Sequence, residues 1–126
     1  MEGGRMMEIE RIRKEFFIKD AGETIGMVGV VEDDRSTRRT IPGRRVYLQD
    51  LKIKEAFRRK GYATKLLEYV IKSYEEQGIY EITIAVDSKN EPAKKLYEKL
   101  GFSLLQHGFD CYGNRGYELL IHRKEE

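Results

Sequence analysis

The spacing of hydrophobic and polar residues along the chain predicts six β-strands and two α-helices. Period-two alternation or short β-branched runs mark strands at Glu8–Lys19, Thr24–Glu32, Val46–Ile53, Ile79–Val86, Phe102–Gly108 and Gly116–Arg123. Apolar residues at i, i+3, i+4 and i+7 mark a long helix over residues 63–74 and a shorter one after residue 90. A strand–helix–strand crossover requires a parallel pair, and hairpins require antiparallel pairs. The expected class is therefore α/β (α+β), a mixed and mostly antiparallel sheet with helices packed on it, in the order β-β-β-α-β-α-β-β.

The third predicted strand carries a shift in its alternation. Val46 and Leu48 lie at even positions. Leu51 and Ile53 lie at odd positions, so a strict period of two cannot place all four side chains on one face. One extra residue near Gln49-Asp50 restores the alignment, as a β-bulge does. Burial of the strand on both faces is the alternative.

Turn and cap residues delimit the helices. Gly78 follows the apolar stripe of the long helix and is suited to a left-handed cap. Asn90 precedes Pro92 and predicts an N-cap with proline in the first helical turn. Gly101 ends the short helix, so the strand that follows begins at Phe102.

Composition narrows the class of protein. A chain of 126 residues, 40% of them hydrophobic, fits one domain over 1–126, with residues 1–7 expected to be flexible. The net charge of +2 disfavours general attraction to nucleic acid or membrane. A single cysteine and two histidines predict neither a disulfide nor a metal centre. Without an apolar run of about 20 residues or a secretory signal, we expect no membrane partner and a cytoplasmic location.

The junction before the long helix concentrates positive charge. It reads Arg58-Arg59-Lys60-Gly61, and glycine lets a ligand approach the backbone closely. Unpaired amides and the positive end of a helix favour anions, and the added cations suit a polyphosphate. A solvated basic turn before an ordinary helix is the alternative.

Three segments together resemble the GNAT superfamily of N-acetyltransferases, which use acetyl-CoA. Arg58-x-x-Gly61-x-Ala63 resembles that family's Q/R-x-x-G-x-G/A signature, and Leu48–Ile53 resembles its bulged strand. The run from Asn90 to Phe102 resembles its Asn-x-x-Ala…Tyr-x-x-x-Gly-Phe segment. The resemblance covers roughly residues 24–122. It implies that the bulged strand splays away from its parallel neighbour and that the pantetheine arm of acetyl-CoA lies in the gap.

The resemblance also implies which residues contact acetyl-CoA, with no metal involved. The backbone of Leu51, Lys52 and Ile53 is expected to bind the pantetheine and acetyl carbonyl. Asn90 and Lys94 are expected beside the other arm of the cofactor, near Tyr97. The pyrophosphate is expected on the turn and first helical residues, namely Arg58, Arg59, Lys60, Gly61, Tyr62, Ala63 and Thr64.

The implied reaction is direct attack by a primary amine on the thioester. Tyr97 is the expected proton donor to the departing thiolate, and the alternative is an aromatic side chain that only fills the core. Asp50 is the expected general base, directly or through water, or a ligand for the substrate ammonium; a strand-edge surface charge is the alternative. His107, His122 and Cys111 are not assigned a catalytic role.

The chain departs from the resemblance at its start. Relatives commonly begin with a strand and two helices that roof the acceptor site, and only about seven residues precede the first predicted strand. The chain is therefore expected to be a short member that lacks this strand and helix pair. We therefore expect an open acceptor groove, or a homodimer in which a second subunit closes it, and the acceptor amine cannot be named. Two other functions stay open: a non-catalytic CoA-binding sensor, and a nucleic-acid-binding module that uses the arginines between residues 35 and 45.

Overall fold

The computed structural model describes residues 7–12, 15–32, 45–109, 112–113 and 115–124. Its helices are α1 (Tyr62–Glu76) and α2 (Glu91–Lys99), and a single 3-10 turn covers Glu55–Phe57. The described strands are β1 (Met7–Ile12), β2 (Glu15–Asp20), β3 (Glu23–Val31), β4 (Arg45–Ile53), β5 (Glu81–Asp87), β6 (Ser103–Phe109) and β7 (Arg115–Arg123).

The strands form one mixed sheet in the order β1-β2-β3-β4-β5-β7-β6. Strands β4 and β5 pair in parallel, and the other pairings between described strands are antiparallel. The predicted class, a mixed and mostly antiparallel sheet with two helices, is confirmed. The parallel pair is joined by α1, as a crossover connection requires.

The start of the chain differs from the prediction. The segment Glu8–Lys19 was expected to form one strand, but it contributes to two, β1 and β2, which pair as antiparallel neighbours. A strand therefore does precede the β2–β3 hairpin, contrary to the expectation that it was missing. Only residues 13 and 14 separate β1 from β2, so no helix pair lies between them. Of residues 1–7, which were expected to be flexible, Met7 is the first residue of β1 and residues 1–6 lie outside the described residues.

The predicted bulge in β4 is confirmed. Met27 of β3 pairs with Lys52, whereas Gly29 pairs with Gln49. Strand β4 therefore contains one residue more than β3 between these two pairs. Asp50 is the residue with the unusual backbone, at φ 57°. The extra residue brings Leu51 and Ile53 onto the side occupied by Leu48, where they pack against the core.

Beyond the bulge, β4 and β5 separate. Their pairing runs from Arg45 with Glu81 to Leu48 with Ile84 and stops there. Strand β4 nevertheless continues to Ile53 and β5 to Asp87. The two strand ends therefore leave a gap in the middle of the sheet, with unpaired backbone on the facing edges.

Helix α1 covers one face of the sheet. Its predicted stripe is confirmed, since Leu66, Leu67 and Val70 are fully buried. These side chains share a single core with the β-sheet and with Tyr97 and Phe102. Burying apolar side chains of this size contributes about 1.5–3 kcal/mol each, which anchors the start of α1 at the gap.

A buried ion pair ties the parallel strands together at the end of their pairing that lies away from the gap. The Arg45 side chain is 2% exposed, and its Nη2 lies 2.8 Å from Oε1 of Glu81. Arg123 of β7 also contacts this carboxylate, with Nε 3.1 Å from Oε2. These two ion pairs to Glu81 link β4, β5 and β7 to one another.

Candidate active site

A cleft of about 530 Å³ opens where β4 ends and α1 begins. One wall is the end of β4, the floor is the first turn of α1, and the other wall is α2. Of the residues expected to contact acetyl-CoA, those lining the cleft are Leu51, Lys52, Ile53, Arg58, Arg59, Gly61, Tyr62, Ala63, Thr64, Asn90 and Tyr97. Folding thus brings residues as far apart as Leu51 and Tyr97, 46 positions along the chain, to one opening.

The charged residues that line this cleft are all positive. Its lining includes Lys52, Arg58 and Arg59, and no Asp or Glu occurs among the described lining residues. The guanidinium of Arg58 donates from Nε to the carbonyl oxygen of Ile53 at 2.9 Å, which holds it at the mouth of the gap. The cleft is therefore suited to an anion with several charges.

The backbone at the start of α1 is open to a ligand. Gly61 is the N-cap at φ 85°, and no side-chain cap occupies the first turn. A Cβ built on Gly61 meets nothing within 4 Å, so the backbone there is open to an approaching ligand. The first amides of a helix have no intrahelical acceptor, and the helix dipole adds partial positive charge. Both features attract phosphate groups.

A second pocket, of about 410 Å³, adjoins the first across the gap. The two share Leu51, Asn90, Ala93 and Tyr97. The second pocket is also lined by Tyr47, Gln49, Asp50 and Asp87. No Lys or Arg lines it among the described residues, so its charge is opposite to that of the cleft.

Tyr97 stands at the junction of the two pockets. Its side chain is 5% exposed, and its ring lies 5.9 Å from that of Phe102. Burial raises the pKa of the Tyr97 hydroxyl above its ordinary value, because the phenolate is poorly solvated there. Within the described part of the chain, no hydrogen bond engages this hydroxyl. At neutral pH it is a protonated donor facing the pockets.

Asn90 positions the start of α2. Its Oδ1 accepts from the amide of Ala93 at 3.2 Å, and the predicted cap is confirmed. Proline follows in the first helical turn, as the sequence indicated. The cap fixes the first turn of α2 beside both pockets, one turn before Tyr97.

Two of the residues expected at the cofactor do not line the cleft. Lys60 is exposed on the turn outside it. The ammonium of Lys94 lies 2.9 Å from the Ser88 carbonyl oxygen and 3.2 Å from Oε2 of Glu118. Hydrogen bonds to Glu91 and then Glu118 raise the pKa of Lys94 above its ordinary value. These contacts attach α2 to β7.

The sequence analysis did not assign several lining residues. The cleft also includes Phe57, Pro92 and Leu96, apolar residues that are indistinguishable from core positions in the sequence. Asp87 lies one residue beyond the predicted strand Ile79–Val86, but it ends β5 and lines the second pocket. The sequence did contain a signal for this position, because Asp87 is a carboxylate directly after the predicted strand that runs parallel to the bulged one. Tyr47, which lies within the predicted strand Val46–Ile53, also lines this pocket.

The described residues contain no cluster of His, Cys, Asp and Glu able to hold a metal ion. None of their helices is long and apolar enough to cross a membrane. Cys111 and most of the arginine-rich segment before β4 lie outside the described residues.

Solved N-acetyltransferases share this fold. The ribosomal-protein-S18-alanine N-acetyltransferase from Escherichia coli superposes with a TM-score of 0.72 at 18% identity, covering 90% of this chain and 71% of that one. The PaiA N-acetyltransferase from Thermoplasma acidophilum, solved in complex with coenzyme A, gives a TM-score of 0.68 at 18% identity, covering 87% and 60%. At such identities the likeness shows the fold alone.

Sequence comparison identifies the family. A family model for the Acetyltransferase (GNAT) family matches residues 5–102, and the chain belongs to that family. The thialysine N-epsilon-acetyltransferase of Bos taurus is 30% identical over 79 residues, which are 61% of this chain and 46% of that protein. The chain spans between 22% and 46% of the length of the curated relatives it matches.

Proposed function

We propose that this chain transfers the acetyl group of acetyl-CoA to a primary amine. One observation carries the proposal: a cationic cleft and an acidic pocket meet at Tyr97, across the gap between β4 and β5. The family to which the chain belongs supports acetyl transfer in general. We further propose that the chain works as one domain and acts in the cytoplasm, since its single cysteine suits a reducing compartment.

Acetyl-CoA fits the cleft by charge and by shape. Its pyrophosphate is an anion, and we propose that the first turn of α1 binds it through backbone amides together with Arg58 and Arg59. Gly61 presents no side chain to the cleft, so phosphate groups can approach the helix end. The pantetheine arm is an extended chain with amide groups, and it matches the unpaired edge of Leu51, Lys52 and Ile53. The cleft volume, about 530 Å³, lies in the range of small-molecule sites.

The chemistry assigns distinct roles to Asp50 and Tyr97. Acetyl-CoA supplies an acetyl thioester. An amine with a pKa near 10 must lose a proton before its nitrogen forms a bond to the acetyl carbon. Asp50 accepts that proton, directly or through water, or holds the ammonium in place. The Ile53 amide donates to the acetyl oxygen, and Tyr97 gives a proton to sulfur as the carbon–sulfur bond breaks.

The acceptor is approached from the acidic pocket. An ammonium is attracted by carboxylates and repelled by Lys52, Arg58 and Arg59 on the cleft side. Relatives are named for different amines, thialysine in one case and the alanine of a ribosomal protein in another. The comparisons therefore leave the acceptor open between a small molecule and a protein.

A thiol-release assay tests the proposal. Purified protein is incubated with acetyl-CoA and a panel of primary amines, and free CoA thiol is measured together with the acetylated product by mass spectrometry. Product that requires both the protein and the amine supports the proposal. Acetyl-CoA binding without product for any amine would favour the CoA-binding sensor instead. Nucleic-acid binding is the least supported function, because a net charge of +2 gives little general attraction to a polyanion.

A further inference from the structure

Asp87 adds a second carboxylate to the acidic pocket. It is the last residue of β5, and with Asp50 from the bulge of β4 it lines the pocket beyond the gap. No lysine or arginine among the described lining residues neutralises the pair. One ammonium accounts for one of these charges, so a singly charged amine leaves the other carboxylate unmatched.

The carboxylate of Asp87 is held in place by the backbone. Its Oδ1 accepts from the amide of Lys89 at 2.8 Å, in the turn that leads to α2. The Asp87 carbonyl oxygen accepts from the amide of Asn90 at 2.9 Å. Oδ1 is therefore committed to the turn, while Oδ2 has no hydrogen bond within the described part of the chain. A charged acceptor oriented in advance binds an ammonium at lower entropic cost.

The hydroxyl of Tyr97 indicates where the reacting end of the ligand lies. The Tyr97 residue is 5% exposed, lines the same pocket, and has no hydrogen-bond partner among the described residues. Its oxygen is not one of the fully enclosed, unpaired polar atoms of these residues, so it is open to the pocket and to a ligand there. The pocket thus holds one polar group at the gap and carboxylates on two different strands.

We propose that the acceptor is a small dicationic amine, and that Asp87 binds its second ammonium while the first reacts beside Asp50. The proposal rests on the proposed function and names the substrate class of that same site. The pocket volume, about 410 Å³, is ample for an aliphatic diamine. Asp87 is then the residue that determines specificity, and it takes no part in proton transfer.

Matched amines test the proposal. Butane-1,4-diamine and butan-1-amine share a reacting group and chain length, and they differ by one terminal ammonium. We expect kcat/KM for the diamine to exceed that for the monoamine by about tenfold or more, the range of a hydrogen bond to a charged group. In Asp87→Asn the ratio should fall to within about threefold of one, because asparagine keeps an oxygen for the Lys89 amide but loses the charge. Glu68→Gln, on the exposed surface of α1, removes one carboxylate elsewhere and should leave the ratio unchanged.

Direct binding separates this proposal from the proposed function. Calorimetry measures butane-1,4-diamine binding to protein saturated with CoA, without any reaction. Saturable binding that Asp87→Asn weakens about tenfold supports the dicationic site, even if no amine is acetylated and the transferase proposal fails. Equal kcat/KM for the two amines, or diamine binding unaffected by Asp87→Asn, overturns the dicationic acceptor while leaving acetyl transfer intact.

Discussion

Replacing Gly61 by aspartate should abolish useful binding of acetyl-CoA. Gly61 lines the cleft and a Cβ there meets no atom within 4 Å, so an aspartate side chain fits without displacing neighbours and places a carboxylate beside the cleft. At a separation of about 5 Å and an effective dielectric constant of about 20, two like charges repel by about 3 kcal/mol. That penalty corresponds to a dissociation constant more than about a hundredfold weaker.

Gly78→Asp is the matched control for this substitution. Gly78 has the same φ of 85° and the same open surroundings, but it follows the opposite end of α1. The 15 residues of α1 put the two positions about 22 Å apart. Both variants pay about 1–2 kcal/mol for a side chain in a left-handed conformation. A carboxylate is better tolerated at a helix N-terminus than at its C-terminus, so Gly61→Asp should be the more stable of the two.

Isothermal titration with acetyl-CoA and thermal denaturation of both variants provide the assay. We expect Gly78→Asp to bind like the unaltered protein and Gly61→Asp to show no saturable binding at concentrations that saturate the control. Binding of Gly61→Asp within about threefold of the unaltered protein would refute the assignment of the pyrophosphate to this helix end. Equal loss in both variants would attribute the effect to strain in α1.

Three further substitutions test separate parts of the account. Tyr97→Phe should lower kcat by about a hundredfold or more with little change in acetyl-CoA affinity. Because burial raises the pKa of Tyr97, the substitution should also remove a step above the ordinary tyrosine range from the phenolate absorbance titration. Unchanged kcat would leave Tyr97 a core residue. Arg45→Met leaves the Glu81 carboxylate with the exposed Arg123 as its one ion-pair partner among the described residues, and it should lower the unfolding midpoint in circular dichroism by about 10 °C. A decrease of no more than a few degrees would show that the pair contributes little. Lys94→Met removes the contact between α2 and Glu118, so it should lower kcat more than it raises KM for acetyl-CoA. Lys94→Arg should restore part of the activity. A rise in KM without a change in kcat would indicate a direct contact between Lys94 and the cofactor instead.

Local patterns in the sequence were sufficient for the central part of the fold. The shift from Val46 and Leu48 to Leu51 and Ile53 is a direct consequence of one extra residue, so the bulge could be predicted. The Asn90 cap could be predicted as well, since its hydrogen bond joins Asn90 to Ala93, three residues later in the chain. Each of these features depends on neighbours in the chain alone.

Features that depend on distant partners could not be predicted. The separation of β1 from β2 has no glycine or proline to mark it, because Arg13 and Lys14 are the only residues between the strands. The contact of the Lys94 ammonium with Glu118 joins residues 24 positions apart. Asp87 becomes part of a pocket only because β5 lies beside the bulged strand. These assignments require the pairing of strands, which periodicity does not encode.

A calorimetric titration of the unaltered protein with acetyl-CoA, with ATP as a control for generic polyphosphate binding, tests the central claim most directly. The account predicts saturable micromolar binding of acetyl-CoA and much weaker binding of ATP, because the cleft recognises the pantetheine arm along β4 as well as the phosphates. Absence of acetyl-CoA binding, or equal binding of ATP, would contradict the proposal that the gap between β4 and β5 holds acetyl-CoA.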